Sequence, residues 1–176
     1  MTTTTRPALV IATVASLAAV LGGCSGDDVH ALGEAIEIDY YDSGGVDAVG
    51  SGTVEVVDVR EGTTTELEEA GFSLDPHEKA AAAYYVDVAF ENAGDAAVAP
   101  HAPGGEDPDG NLIHALTIID LGGGQPFEQC VGVPEEVAPG ETTAGCTIVL
   151  VPEGVEMERI FYHAGGSDGF IYWETE

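Results

Sequence analysis

Basic side chains are almost missing from this chain: 4 Lys and Arg stand against 32 Asp and Glu, a formal net charge of −28. A field of that sign repels nucleic acid and anionic lipid head groups alike, so nucleic acid is excluded as a partner. The carboxylates are scattered with no long block among them. They read as a solvated surface, for which a high-salt habitat supplies a physical reason. Cysteine is scarce as well, with 3 in 176 residues, which rules out a disulfide-dense scaffold. The closely spaced Cys or His pairs that announce a zinc site are absent. Past the N-terminal region a single methionine, Met157, remains, too little sulfur for a copper site of the His, Cys and Met type.

Catalytic signatures are missing too. His30, His77, His101, His114 and His163 are spread along the chain. No serine lies in a Gly-x-Ser-x-Gly turn, and there is neither a His-Glu-x-x-His pair nor a glycine-rich phosphate loop. His114 reads as an ordinary strand residue and Gly122-Gly123-Gly124 as a flexible loop. The expectation is a non-enzyme without a cofactor.

The most informative residue present is Cys24, which closes Leu21-Gly22-Gly23-Cys24 after an apolar stretch beginning near Ala8. That arrangement resembles a bacterial lipobox. Arg6 supplies a positive start, Ala8 to Val20 an apolar core, and Gly22-Gly23 the small residues at the cut. The run from Ala8 to Leu21 falls short of the roughly 20 residues that span a bilayer, and polar Ser25 to Asp28 ends it. The expected organisation is a lipoprotein signal peptide over residues 1–23, a polar tether over 24–32 and one folded domain over 33–176. The membrane is then the expected partner, through a diacylglyceryl group on Cys24, on the extracytoplasmic side. In that oxidising compartment Cys130 and Cys146 are expected to form one disulfide.

The folded part reads as short β-type runs between turn residues: Ala35 to Tyr41, Thr53 to Val59, Tyr84 to Asn92, Leu112 to Ile119, Phe127 to Val133, Thr142 to Val151, Glu158 to His163 and Gly169 to Glu174. Almost none has a helical period. In Tyr84 to Asn92, Tyr84, Val86, Val88 and Phe90 share one face, and Tyr85, Asp87, Ala89 and Glu91 the other, as in a half-buried antiparallel strand. Thr147 to Val151 is apolar on both faces, which predicts either a central strand or one covered by a packing loop, with Cys146, Ile148 and Leu150 inward. The alternation of Val54 and Val56 slips at Val57, which predicts a bulge. Pro139-Gly140 suits a type II turn, while Asp109-Gly110, Gly165-Gly166 and Asp168-Gly169 signal hairpins. Thr65 to Ala70 suits a single helical turn. Glu78 to Ala83 does so less well, because tyrosines follow it.

Four stretches carry a family resemblance: Tyr84 to Asp95, with its Asn92-Ala93-Gly94-Asp95 ending; Asp109-Gly110; Val137 to Thr142, with Pro139-Gly140-Glu141; and Val149 to Gly154, with Val151-Pro152-Glu153-Gly154. With the aromatic strand Phe170-Ile171-Tyr172-Trp173, the chain from about Gly33 onward resembles a telokin-like immunoglobulin-fold domain of unknown function. Such domains occur in Gram-positive, especially actinobacterial, lipoproteins and secreted antigens. The resemblance implies an all-β, immunoglobulin-like antiparallel β-sandwich with no assigned catalytic residues. Its substrate and partner are blank.

One local cluster has ligand chemistry. Glu106, Asp107, Asp109 and Asn111, in a loop that also holds His101, place hard oxygen donors close together as a weak candidate for calcium. The run lacks EF-hand spacing, and an acidic hairpin turn with solvated charges is the expected reading. Two functions stay open: a surface-anchored binding or interaction module, with a protein or cell-wall component as its partner, and an acidic spacer without a specific ligand. Clustering of Tyr41, Tyr85 and Trp173 on one outer face favours the first, and scattering of these aromatics favours the spacer.

Overall fold

A computed structural model describes residues 29–41, 47–116, 127–165 and 169–175. Cys24, the signal segment, Thr117 to Ile119, Gly122-Gly123-Gly124, Gly166 and Asp168 lie outside the described residues.

Among the described residues, nine strands and two short helices run in the order β1 (Val29–His30), β2 (Ala35–Tyr41), β3 (Ala48–Gly62), α1 (Thr64–Glu69), α2 (Pro76–Lys79), β4 (Ala82–Asn92), β5 (Gly104–Glu106), β6 (Leu112–Ile113), β7 (Thr142–Val151), β8 (Arg159–Tyr162) and β9 (Ile171–Glu174). They form two sheets, ordered β1-β9-β8-β5-β6 and β2-β3-β4-β7. The sheets face one another across a core of alternating residues from both: Val54, Val56, Val86, Val88 and Phe90 meet Ile160, Tyr162 and Trp173. This is the expected all-β sandwich, with one departure from antiparallel pairing: β1 runs parallel to β9.

The expected bulge is present, because the β3–β4 register shifts between Val56 and Asp58 and leaves Val57 47 % exposed. The motifs that carried the family resemblance interlock. Asn92 is fully buried at the end of β4, its Nδ2 donating to the carbonyls of Ala96 (2.8 Å) and Val137 (2.9 Å), while its Oδ1 accepts from Gly94 N. The 138–141 turn is tied to the same residue: Gly140, at φ +73°, donates to the Asn92 carbonyl, and Glu141 N closes the turn on Ala138 O. A buried amide so fully paired fixes where the two loops cross.

A second, smaller core lies on the outer face of the four-stranded sheet. Leu67 of α1, Leu74, Tyr85, Ile148 and the Cys130–Cys146 disulfide pack there, with Phe72, Phe127 and Leu150 around them. Capping boxes at Thr63 with Glu66 and at Asp75 with Glu78 start the two helices that bring Leu67 and Leu74 over the sheet. Arg60 latches the disulfide loop down, donating to Asp87 at 2.6 Å and to the Gln129 carbonyl at 3.0 Å.

This second core corrects several expectations. Tyr85 is buried, so β4 is covered on both faces at that end. Of the two arrangements expected for Thr147 to Val151 the second holds: β7 is an edge strand of its sheet covered by a packing loop, with Cys146, Ile148 and Leu150 pointing into the second core and Val149 and Val151 into the first. Phe127 to Val133 is a loop, because only Phe127 and Cys130 pack into the second core while Val131 is 70 % exposed and the backbone turns, Cys130 N bonding to Phe127 O. The expected strand from Leu112 reaches only Ile113, with an isolated bridge from Ala115 to Val149. β8 and β9 are each trimmed to four residues. The fold begins earlier than the expected boundary at residue 33, because Val29 and His30 are already in the sheet and Leu32 packs on the core.

Candidate functional site

The outer face of the five-stranded sheet carries an aromatic cluster that the sequence did not signal. Along β8, Ile160 and Tyr162 face the core, which turns Arg159, Phe161 and His163 outward; along β9, Trp173 faces inward and Tyr172 outward. Phe161 and Tyr172 are directly opposed across the two strands. Phe170 sits beside them, 5.4 Å from the Phe161 ring centroid and 6.2 Å from that of Tyr172. His163 lies 5.1 Å from Phe170, and His114 stands edge-on to Phe161 at 5.9 Å. Phe170 remains 42 % exposed and Val29, in register with Tyr172, 41 % exposed. Edge-on and tilted ring pairs of this kind add to the area they bury and hold the ring orientations.

A glycine makes room for this arrangement. A Cβ at Gly104 would lie 2.6 Å from the Phe161 ring, so only glycine lets that ring lie against β5. Arg159 borders the cluster, with its guanidinium 3.9 Å from the Tyr172 ring centroid and donating from Nε (2.9 Å) and Nη2 (2.6 Å) to Glu106 Oε1.

The calcium candidates have other work. Glu106 is buried and paired with Arg159. Asp107 closes its own turn: Oδ1 accepts from the backbone N–H groups of Asp109 (2.9 Å) and Asn111 (2.8 Å), and Oδ2 from Asn111 Nδ2 (2.8 Å). The Asn111 side chain above all, then these N–H groups, hold the Asp107 carboxyl below the usual range. The run therefore divides into an ion pair and an Asx-type turn. Among the described residues, no three His, Cys, Asp or Glu side chains converge to hold a metal ion.

A second surface is an open cleft of about 740 Å³ along β2, lined by Glu37, Asp39, Ser51, Thr53 and Glu91, by Ala164 just past β8 and by Ile171 of β9. Its carboxylates keep the edge strand hydrated, the usual guard against edge-to-edge pairing. The three aromatics singled out in the sequence do not come together, the outcome that on those residues alone favours the spacer: Trp173 is fully buried in the first core, Tyr85 in the second, and Tyr41 is half-buried at the end of β2. Phe170, at a loop end, and the histidines, with no motif spacing, gave the sequence no signal that β8, β9 and β6 would bring them together.

No family model matches the chain, and no curated protein matches it. Two solved structures do. MPT63, a secreted protein from Mycobacterium tuberculosis, is similar with a TM-score of 0.55 and 12 % identity, over 86 % of this chain and 99 % of that one. The yjhA protein from Bacillus subtilis is similar with a TM-score of 0.51 and 11 % identity, over 84 % of this chain and 100 % of that one. At such identity the likeness is one of fold. It extends to the β-sandwich and no further, so the telokin-like family stays a resemblance of motifs.

Proposed function

We propose that this chain is a non-catalytic extracytoplasmic interaction module, held at the membrane by lipid on Cys24, whose contact surface is the outer face of the five-stranded sheet. The carrying observation is the cluster of Phe170, Phe161, Tyr172, His114 and His163 beside Arg159. Phe161 and Tyr172 are 5 % and 7 % exposed and pack beside Phe170, which with His114 forms the accessible part of the cluster; aromatic rings with arginine are enriched where proteins bind. The leader-like run up to Cys24 and the disulfide both fit an oxidising compartment outside the membrane.

Radical footprinting tests the surface. Phe170 should label less on intact cells than in purified protein, while Val57, exposed on the other sheet, labels equally in both. Equal labelling of Phe170 in the two samples would remove this face as a contact and favour a spacer.

A further inference from the structure

We infer that the partner of this aromatic face is the surface of the bilayer that carries the chain's own lipid, so that the sandwich lies with its five-stranded sheet against the head groups. The inference rests on the proposed anchor at Cys24 and names what the contact surface of the module touches.

The first argument is reach. Five residue steps separate Cys24 from Val29, the first residue of β1. Fully extended, they span about 17 Å. β1 is the edge strand of the sheet that carries the cluster, and Val29 is in register with Tyr172 on the same face. The start of the described chain at Val29 and the exposed Phe170 therefore share one side of the domain, within that reach of Cys24. A lipid tether this short holds that side near the head groups at an effective concentration of millimolar order, so even a weak contact is populated.

The second argument is charge. The domain as a whole is repelled by anionic head groups, and repulsion selects the side that can approach. On the opposite sheet the bare part of the outer face presents Glu37, Asp39, Glu55 and Glu91, with Glu37 and Glu91 on either side of Thr53 and Asp39 and Glu55 one step away along their strands on the same face. On the aromatic face Glu106 is neutralised by Arg159, Glu174 stands beside that pair, and the acidic turn between β5 and β6 lies at the edge remote from β1. Aromatic rings, an arginine and histidines are the side chains that sit favourably at a head-group interface.

The test uses the full lipid-modified protein in zwitterionic vesicles. Phe170→Cys and, separately, Val57→Cys are labelled with an environment-sensitive fluorophore, and quenching by spin-labelled lipid is measured. The label at 170 should be quenched at least about threefold more than that at 57, with a blue-shifted emission. Hydrogen exchange of the unlabelled protein supplies a second reading: amides of β1 and β9 should slow on vesicles relative to detergent, and those of β2 should not. Equal quenching at the two positions, or no difference in exchange, would overturn the inference while leaving the anchor intact. Intact mass of the same preparation separates the two failures, because a Cys24 without a diacylglyceryl group removes the anchor and the inference with it. Protection of Phe170 on cells but not on vesicles would assign the face to a protein partner instead.

Discussion

Arg159 lies over the ring of Tyr172 at 3.9 Å while donating to Glu106, so one cation holds both an aromatic face and a buried carboxylate in place. Glu106 is 3 % exposed. Removing the cation leaves that carboxylate buried without its counter-charge. Breaking a buried pair from one side costs about 3 kcal/mol, less where one partner is partly exposed, as Arg159 is. Arg159→Ala should therefore destabilise by about 2 to 3 kcal/mol in denaturant melts, and Glu106→Gln in the same background should recover part of it. A loss within about 0.5 kcal/mol in the single variant would show the pair to be ornamental.

The disulfide joins a loop to an edge strand, with Cys130 and Cys146 separated by 16 in sequence and nearly inaccessible at 2 % and 3 % exposure. Closing a loop of that size constrains the unfolded chain by about 3 kcal/mol. Replacing both cysteines with alanine should cost about 2 to 4 kcal/mol, and Arg60→Ala should loosen the same loop, seen as faster exchange at Cys130 and Cys146 amides. Recovery of both as free thiols from protein made under oxidising conditions would contradict the bond.

Stability should fall at both ends of the pH scale. Asp107 and Asp75 have carboxyls held below their usual range, the first by Asn111 and the second by the N–H groups of Glu78 and His77. A lowered folded pKa contributes stability that is present above the ordinary value near 4 and is lost as pH falls through the folded one. Tyr40 moves the other way: burial, and then Glu91, push its hydroxyl up to about 12, and burial raises Tyr162 as well. That contribution is full below about pH 10 and is lost as pH rises toward the folded value. Melting temperature should drop below about pH 4 and above about pH 10, with Asp107→Asn flattening the acid limb and Tyr40→Phe the alkaline one. Unchanged limbs in those variants would assign the transitions to other groups.

With a net charge of −28, self-repulsion should respond to screening, because the Debye length shrinks from about 30 Å at 0.01 M to about 10 Å at 0.1 M. Any monovalent salt should raise the melting temperature broadly without saturating. Calcium at matched ionic strength should add little, since Glu106 and Asp107 already have partners. A sharp micromolar calcium transition abolished by Asp109→Asn would instead make the 106–111 turn a metal site.

Much of the sandwich was legible because alternation reports burial where a strand has one wet and one dry face. Ala35–Tyr41 and Thr142–Val151 emerge with the expected bounds, and the parity slip at Val57 marks the bulge. What escaped depended on covering elements. Thr147 to Val151 left two arrangements open, a central strand or one covered by a packing loop, because one sequence pattern serves both; it is an edge strand roofed by a loop. β5 is Gly-Gly-Glu, which no propensity would name a strand; it exists because β8 and β6 flank it and because Phe161 needs the room at Gly104. The aromatic cluster was hidden for the same reason: only the pairing of β8 with β9 sets Phe161 opposite Tyr172 on the outer side of the sheet, where Phe170 packs beside them.

The central claim is a β-sandwich tethered to a membrane by lipid at Cys24, and intact mass spectrometry of protein purified from the membrane fraction tests it most directly. The account predicts a mature chain beginning at Cys24 and carrying a diacylglyceryl group, with Cys24→Ala recovered from the soluble fraction. A wild-type protein without a lipid adduct, or a Cys24→Ala variant that still pellets with membranes, would contradict it.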